Sequence, residues 1–126
     1  MATLSQYLED QVLNWLKGST FAAAPTVYVD LLDSGSSSLL TTLTGSATRP
    51  SVTFGAISTD GNGRIMSNSG AVTFTASASA GGVVAYVALY DAATAGNQLS
   101  VVASAKTINT ADPVEIAIGD LTLKMD

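Results

Sequence analysis

This sequence of 126 residues predicts an all-β fold preceded by one N-terminal α-helix: a β-sandwich, immunoglobulin-like or jelly-roll-like, of about eight short strands. Three observations predict it. TLSQYLEDQVLNWLKG is the one stretch with helical apolar spacing. From Pro25 onward, short apolar runs (VYVDLL, VTFGAI, VTFTA, VVAYVALY) are punctuated by Gly, Ser, Thr and Asn. The apolar content is rich in Ala and poor in aromatics, which favours thin, closely packed layers. The length is that of one ordinary domain, divided into residues 1–24, helix and connector, and 25–126, the β-sandwich.

The helix comes first. Thr3 and Gln6 have capping-box spacing, and Leu4, Leu8, Val12, Trp15 and Leu16 recur at three- and four-residue intervals as one apolar stripe. Tyr7 and Leu13 flank that stripe. Glu9, Asp10 and Lys17 suit the macrodipole, and Gly18 is a natural stop. A helix this short does not hold alone in water, so its stripe must pack on something. After the connector GSTFAAAP, residues 27–32 form the first strand. The segment 33–50 (DSGSSSLLTTLTGSATRP) is rich in Ser, Thr and Gly, but Leu39, Leu40 and Leu43 are too apolar for a plain linker. Part of it is therefore expected to pack or to make a short strand.

Residues 51–57 are the next strand, DGNG at 60–63 a turn, and 64–67 a return strand followed by a turn at Asn68-Ser69-Gly70. Residues 71–75 alternate, with Val72 and Phe74 on one face. The most apolar run, 83–90, is expected to be a central strand, followed by a small-residue turn at 91–97. Strands at 99–106, 114–118 and 121–125 complete the set. TVYVDLLD echoes AYVALYDA, and SVTFGA echoes AVTFTA; similar strands in opposed sheets would explain this, with an internal duplication as the alternative.

Composition narrows the chemistry. The chain has no His and no Cys, hence no usual general base near neutral pH, no thiolate zinc site and no disulfide. Its net charge is −5, and the five cations (Lys17, Arg49, Arg64, Lys106, Lys124) are scattered. No basic footprint for nucleic acid or for anionic lipid is present. No apolar run approaches the ~20 residues that span a bilayer. Glu9 and Asp10 stand where a signal peptide would be positive, so a cytoplasmic origin is expected.

No motif carries catalysis. DGNG opens like a calcium loop, but Arg64 stands where an oxygen ligand is needed and no glutamate closes the loop, so a tight hairpin is the reading. The aspartates show no pairing in their spacing. The serines lack a nucleophile elbow, and the glycine-rich pieces lack a phosphate-binding lysine. No catalytic, cofactor-binding or metal site is assigned. The interface candidates are Leu4, Leu8, Val12, Trp15 and Leu16 on the stripe, and Leu39, Leu40 and Leu43 in the 33–50 segment. Trp15, the sole tryptophan, is either an interface anchor or a packing residue against the β-domain.

LSQYLEDQVLNWLKGSTFAAAPTVYVDLL, RPSVTFGAI, SNSGAVTFTASA, VVAYVALYDAATAGNQL and the closing LTLKMD, in that order, resemble a family of small tailed-bacteriophage virion proteins. Its members are described as tail fibre proteins, and similar β-domains serve as capsid decoration (cement) proteins. The likeness covers nearly the whole chain and resides in the order of the segments. One departure is the Ser/Thr-rich 33–50 segment, where members tend to carry a glycine- and tyrosine-rich run.

The resemblance implies a non-enzymatic virion structural protein without cofactors, made in the host bacterial cytoplasm. Its expected role is capsid decoration, stabilising the shell through protein–protein contacts with the major capsid protein. The alternative is a tail fibre or tail-associated role, contacting tail proteins or gripping a receptor glycan through loops 33–50, 58–63 and 91–98. A homo-oligomer, a trimer, is implied by the resemblance alone.

Overall fold

The computed structural model describes residues 2–21 and 26–125. The connector and the boundary placed after residue 24 therefore fall partly on residues 22–25, outside the described residues. In chain order the elements are β1 (Ala2–Leu4), α1 (Gln6–Leu16), β2 (Val27–Leu32), α2 (Leu40–Thr44), β3 (Ser51–Val52) and β4 (Ser58–Asp60). They continue with β5 (Gly63–Ser67), β6 (Val72–Thr75), β7 (Gly82–Tyr90), β8 (Gln98–Ile108), β9 (Val114–Ile116) and β10 (Thr122–Met125).

Among the described residues all strand pairs are antiparallel and form three sheets, ordered β1-β8-β7-β2-β3, β10-β5-β4 and β6-β9. The most apolar run is central, as its composition requires: β7 lies in the middle of the large sheet with β8 and β2 on either side. One core draws Val29, Leu31, Val87 and Leu89 from the large sheet and Val72, Val114, Phe74, Ile116 and Leu123 from the two small ones. Apolar faces meeting across a shared core make the fold sandwich-like. On the other face of the large sheet Asp30 and Ala88, which are cross-strand partners, are buried too. A strand covered on both faces reads as an unbroken apolar run, which is why VYVDLL and VVAYVALY do.

A buried asparagine ties the small sheets together. Asn68 is 2% exposed. It donates from Nδ2 to the carbonyls of Gly70 (2.8 Å) and Ala117 (3.0 Å), and accepts at Oδ1 from the Leu121 amide (2.9 Å). With both halves of its amide satisfied, burial costs little, and the turn after β5 is locked to the turn between β9 and β10.

Two differences from the sequence expectation concern the helices. The N-terminal helix starts later than the Thr3/Gln6 spacing indicates, because residues 2–4 are extended and pair with the edge of β8 through Ala2↔Val102, Thr3↔Val101 and Leu4↔Ser100. The helix cap is Ser5, whose Oγ accepts from the Leu8 amide (3.2 Å) while its own amide donates to the Leu99 carbonyl (2.9 Å). Strand pairing across the sheet outweighs a purely local cap, so Leu4 belongs to a strand and not to the helical stripe. Second, the 33–50 segment does pack, as one of its two expected outcomes, but through a short helix, α2, where the other outcome was a strand. Its Leu40 and Leu43 are 1% and 0% exposed and belong to the core. Gly45 ends it with φ +74°, a backbone state that favours glycine.

Replacing Leu43 by alanine is expected to lower the free energy of unfolding by about 2–5 kcal/mol, the range for an aliphatic side chain lost from a packed core. Leu16→Ala, at an exposed position, is expected to stay within about 0.5 kcal/mol. Chemical denaturation of the two variants beside the parent protein checks both.

Candidate binding surface

Helix α1 is where the chain meets and then leaves its own β-domain. Tyr7 and Leu8 pack on the core and Val12 is half-buried. Trp15 lies seven residues after Leu8, two turns along and on the same face. It is nevertheless 54% exposed, with Leu16 at 69% and Leu13 at 57%. The helix therefore overhangs the sheet: the first half of its stripe is anchored and the second half is free.

The helix ending shapes this free end. Beyond the cap at Lys17, Gly18 has φ +96°, its amide donates to the Trp15 carbonyl (2.9 Å), and the Ser19 amide donates to the Asn14 carbonyl (3.0 Å). This pair of bonds is a Schellman motif, which reverses the chain at a glycine. The reversal brings Phe21 (43% exposed) beside Trp15, with ring centroids 5.9 Å apart and planes inclined by 33°. Trp15 and Phe21 thus form an exposed apolar knob at the helix end, with Leu16 beside Trp15 in the last turn, while Leu13 is exposed on another side of the helix, about 200° round from Trp15.

The eight residues singled out from sequence separate into three groups. Trp15 and Leu16 stand on the knob. Leu4 and Leu8 line an apolar cavity of about 250 Å³ together with Phe54, Leu99 and Leu123, while Val12 lies between knob and cavity. Leu40 and Leu43 are filled into the chain's own core and present no contact surface, while Leu39 packs against that core and stays partly exposed. Sequence reasoning passed over Phe21 as a member of the knob. An aromatic inside an otherwise small-residue connector was the available signal for Phe21.

The two long loops are pinned rather than adaptable. Asp30, buried in β2, accepts from Arg49 Nε (3.1 Å) and from Ser38 Oγ (2.7 Å). Arg49 Nη1 donates to the carbonyls of Ala92 (3.1 Å) and Ala95 (2.8 Å), and the guanidinium lies 3.6 Å from the Tyr90 ring centroid. One arginine therefore clamps both the 33–50 segment and the 91–97 turn. Inside that turn Asp91 Oδ1 accepts from the Asn97 amide (2.7 Å) and Oδ2 from Asn97 Nδ2 (3.0 Å). Gly96, at φ +76°, has no room for a Cβ, which would fall 2.5 Å from Asp91 Oδ1.

The third loop is the tight hairpin its DGNG sequence indicates. Asp60 pairs with Gly63 around Gly61-Asn62, Gly61 takes φ +59°, and the Asp60 carboxylate meets Lys124 Nζ at 3.3 Å. Among the described residues no three His, Cys, Asp or Glu side chains converge as metal ligands would.

A family model described as Podophage GP4 fiber I protein gp80 matches residues 3–124 of the chain. No curated protein matches it.

The Asn97 side chain and amide hold the Asp91 carboxyl below the usual carboxylate range, with a smaller contribution from Arg49. A carboxyl group held low stabilises the fold above its unfolded-state pKa, and that contribution is lost as pH falls through the folded-state value. Asp91→Asn is therefore expected to melt below the parent protein near neutral pH, with the gap closing as pH falls below about 4. Thermal melts of both proteins from pH 7 down to about pH 2.5 check it.

Proposed function

The chain belongs to this family of podophage fibre proteins and is a phage structural protein, and from that premise we propose that it works as a fibre component of the virion, by protein–protein contact and without catalysis. The observation that carries the contact is the exposed knob of Trp15, Phe21 and Leu16, attached by its own helix to the sandwich. Trp is enriched among residues that dominate binding energy, and it is unusual to leave one more than half exposed in a chain that has a single tryptophan.

The family's description supports a fibre placement over the capsid-decoration placement expected from the sequence. The alternative in which loops grip a receptor glycan has less support, since loops 33–50 and 91–98 are internally bonded and the 58–63 hairpin is short. The absence of His and Cys from the sequence supports a non-catalytic role.

A reconstruction of the phage particle at a resolution that resolves this chain tests the proposal. Density on the tail apparatus, with the end of α1 against a neighbouring subunit, is the expected result. Density on the capsid shell in hundreds of copies would overturn it in favour of decoration.

A further inference from the structure

The chain carries an unfilled hole as well as an unpartnered knob. The cavity beside α1 lies between the large sheet and the β10-β5-β4 sheet, and its lining is apolar except for Ser100 and Arg64. It reaches the surface, because Ile57 and Met125 on its wall are 61% and 57% exposed. A β-bulge helps to make it. Leu89 pairs with Ser100 and Tyr90 with Gln98, so Leu99 is the extra residue, turned into the cavity wall.

The cavity has room for an aromatic ring system. An apolar protein cavity of about 150 Å³ takes benzene, and this one is about 250 Å³. At its wall Ser100 sits between its cross-strand partners Leu4 and Leu89; the residue is 3% exposed and its hydroxyl has no hydrogen-bond partner. An occupant that brings a donor would relieve that orphan. An indole has one N–H donor and no acceptor.

Trp15 offers such a ring, but not to its own cavity. It stands two helical turns, about 10 Å, beyond Leu8 on the cavity wall, and it is not among the residues that line the cavity. Charge agrees with a second molecule as its source. Glu9 and Asp10 are exposed on the helix that carries the knob. Arg64 is exposed on the cavity wall, bonded to Thr59 Oγ1 at 2.6 Å and in no salt bridge among the described residues.

We infer that a second copy of this chain occupies the cavity, with the Trp15 knob of one molecule seated between the sheets of the next beside Leu8, Leu99 and Ser100. The contact is head-to-tail: knob and hole are different surfaces, so each molecule keeps one of each free. Such contacts propagate into a ring or an open filament instead of stopping at a symmetric dimer. The inference rests on reading the chain as a binding protein. It concerns the isolated protein in solution, so its failure would leave the fibre placement standing.

Sedimentation velocity of the full chain, from about 10 µM to about 1 mM where a single modest contact forms and dissociates, is the test. Emission from the sole tryptophan is followed in the same samples. The parent protein is expected to grow into oligomers with concentration while Trp15 emission moves to the blue. Trp15→Asp removes the knob and Ile57→Arg obstructs the hole, both at exposed positions that the fold tolerates; each variant alone is expected to remain monomeric. An equimolar mixture of the two, with one intact knob and one intact hole between them, is expected to form a heterodimer and nothing larger. A parent protein that stays monomeric throughout, association that survives either substitution, or a mixture that stays monomeric would overturn the inference.

Discussion

The rest of this structure depends on one buried ion pair. Asp30 sits in the second strand of the large sheet with almost no exposure, and Arg49, 19 residues later, is its charged partner. Burying a carboxylate is costly unless it is paired and hydrogen-bonded, and here Arg49 and Ser38 supply both conditions. Such a pair is weak evidence for stability in itself, but losing one partner leaves a bare charge in the interior, at about 3–5 kcal/mol. The constraint is therefore geometric. Arg49 must be where it is, and its remaining donors then hold the 91–97 turn against the Tyr90 ring.

That clamp determines where the molecule is free to bind. Two segments that composition marks as loops are closed down, one by Arg49 and two buried leucines, the other by Arg49 and the Asp91–Asn97 bonds. The sandwich fills most of its own interior, and the hydrophobic surface left over gathers along α1: a cavity at its start and an exposed knob at its end. Both follow from where the helix is seated. Ser5 is tied to the Leu99 carbonyl at a bulge, so the first turn lies on the sheet while the last turn projects past it.

Much of the fold was legible because the signals were local or nearly continuous. Residues 83–90 are apolar on both faces and lie centrally; DGNG makes a hairpin; Gly18 ends the helix with positive φ. The burial of Leu40 and Leu43 was legible from their hydrophobicity, but the helical form of Leu40–Thr44 was not, since five residues are too few to display a period. The run 51–57 read as one strand, yet regular pairing ends at Val52 and Phe54 makes only an isolated bridge to Asn68. Residues 2–4 carry no strand signature at all, and their pairing with β8 exists only in three dimensions. The candidate surface was half legible. The stripe on α1 named Trp15 and Leu16 correctly as apolar positions, but how far a helix overhangs its sheet is a tertiary quantity, and so is the approach of Phe21. Arg49 was visible as one of five cations beside the strand-opening Pro50, with nothing local to link it to Asp30.

Backbone hydrogen exchange with and without Arg49 tests the central constraint most directly. The amides of Leu39, Leu43 and Arg49 donate to the carbonyls of Leu31, Leu39 and Ala93, and the Asn97 amide to Asp91. The clamp predicts protection at all four in the parent protein, and a joint loss across both the 33–50 and 91–97 segments in Arg49→Met while the amides of β7 stay protected. Fast exchange at these amides in the parent protein, or protection unchanged in either segment of the variant, would contradict it.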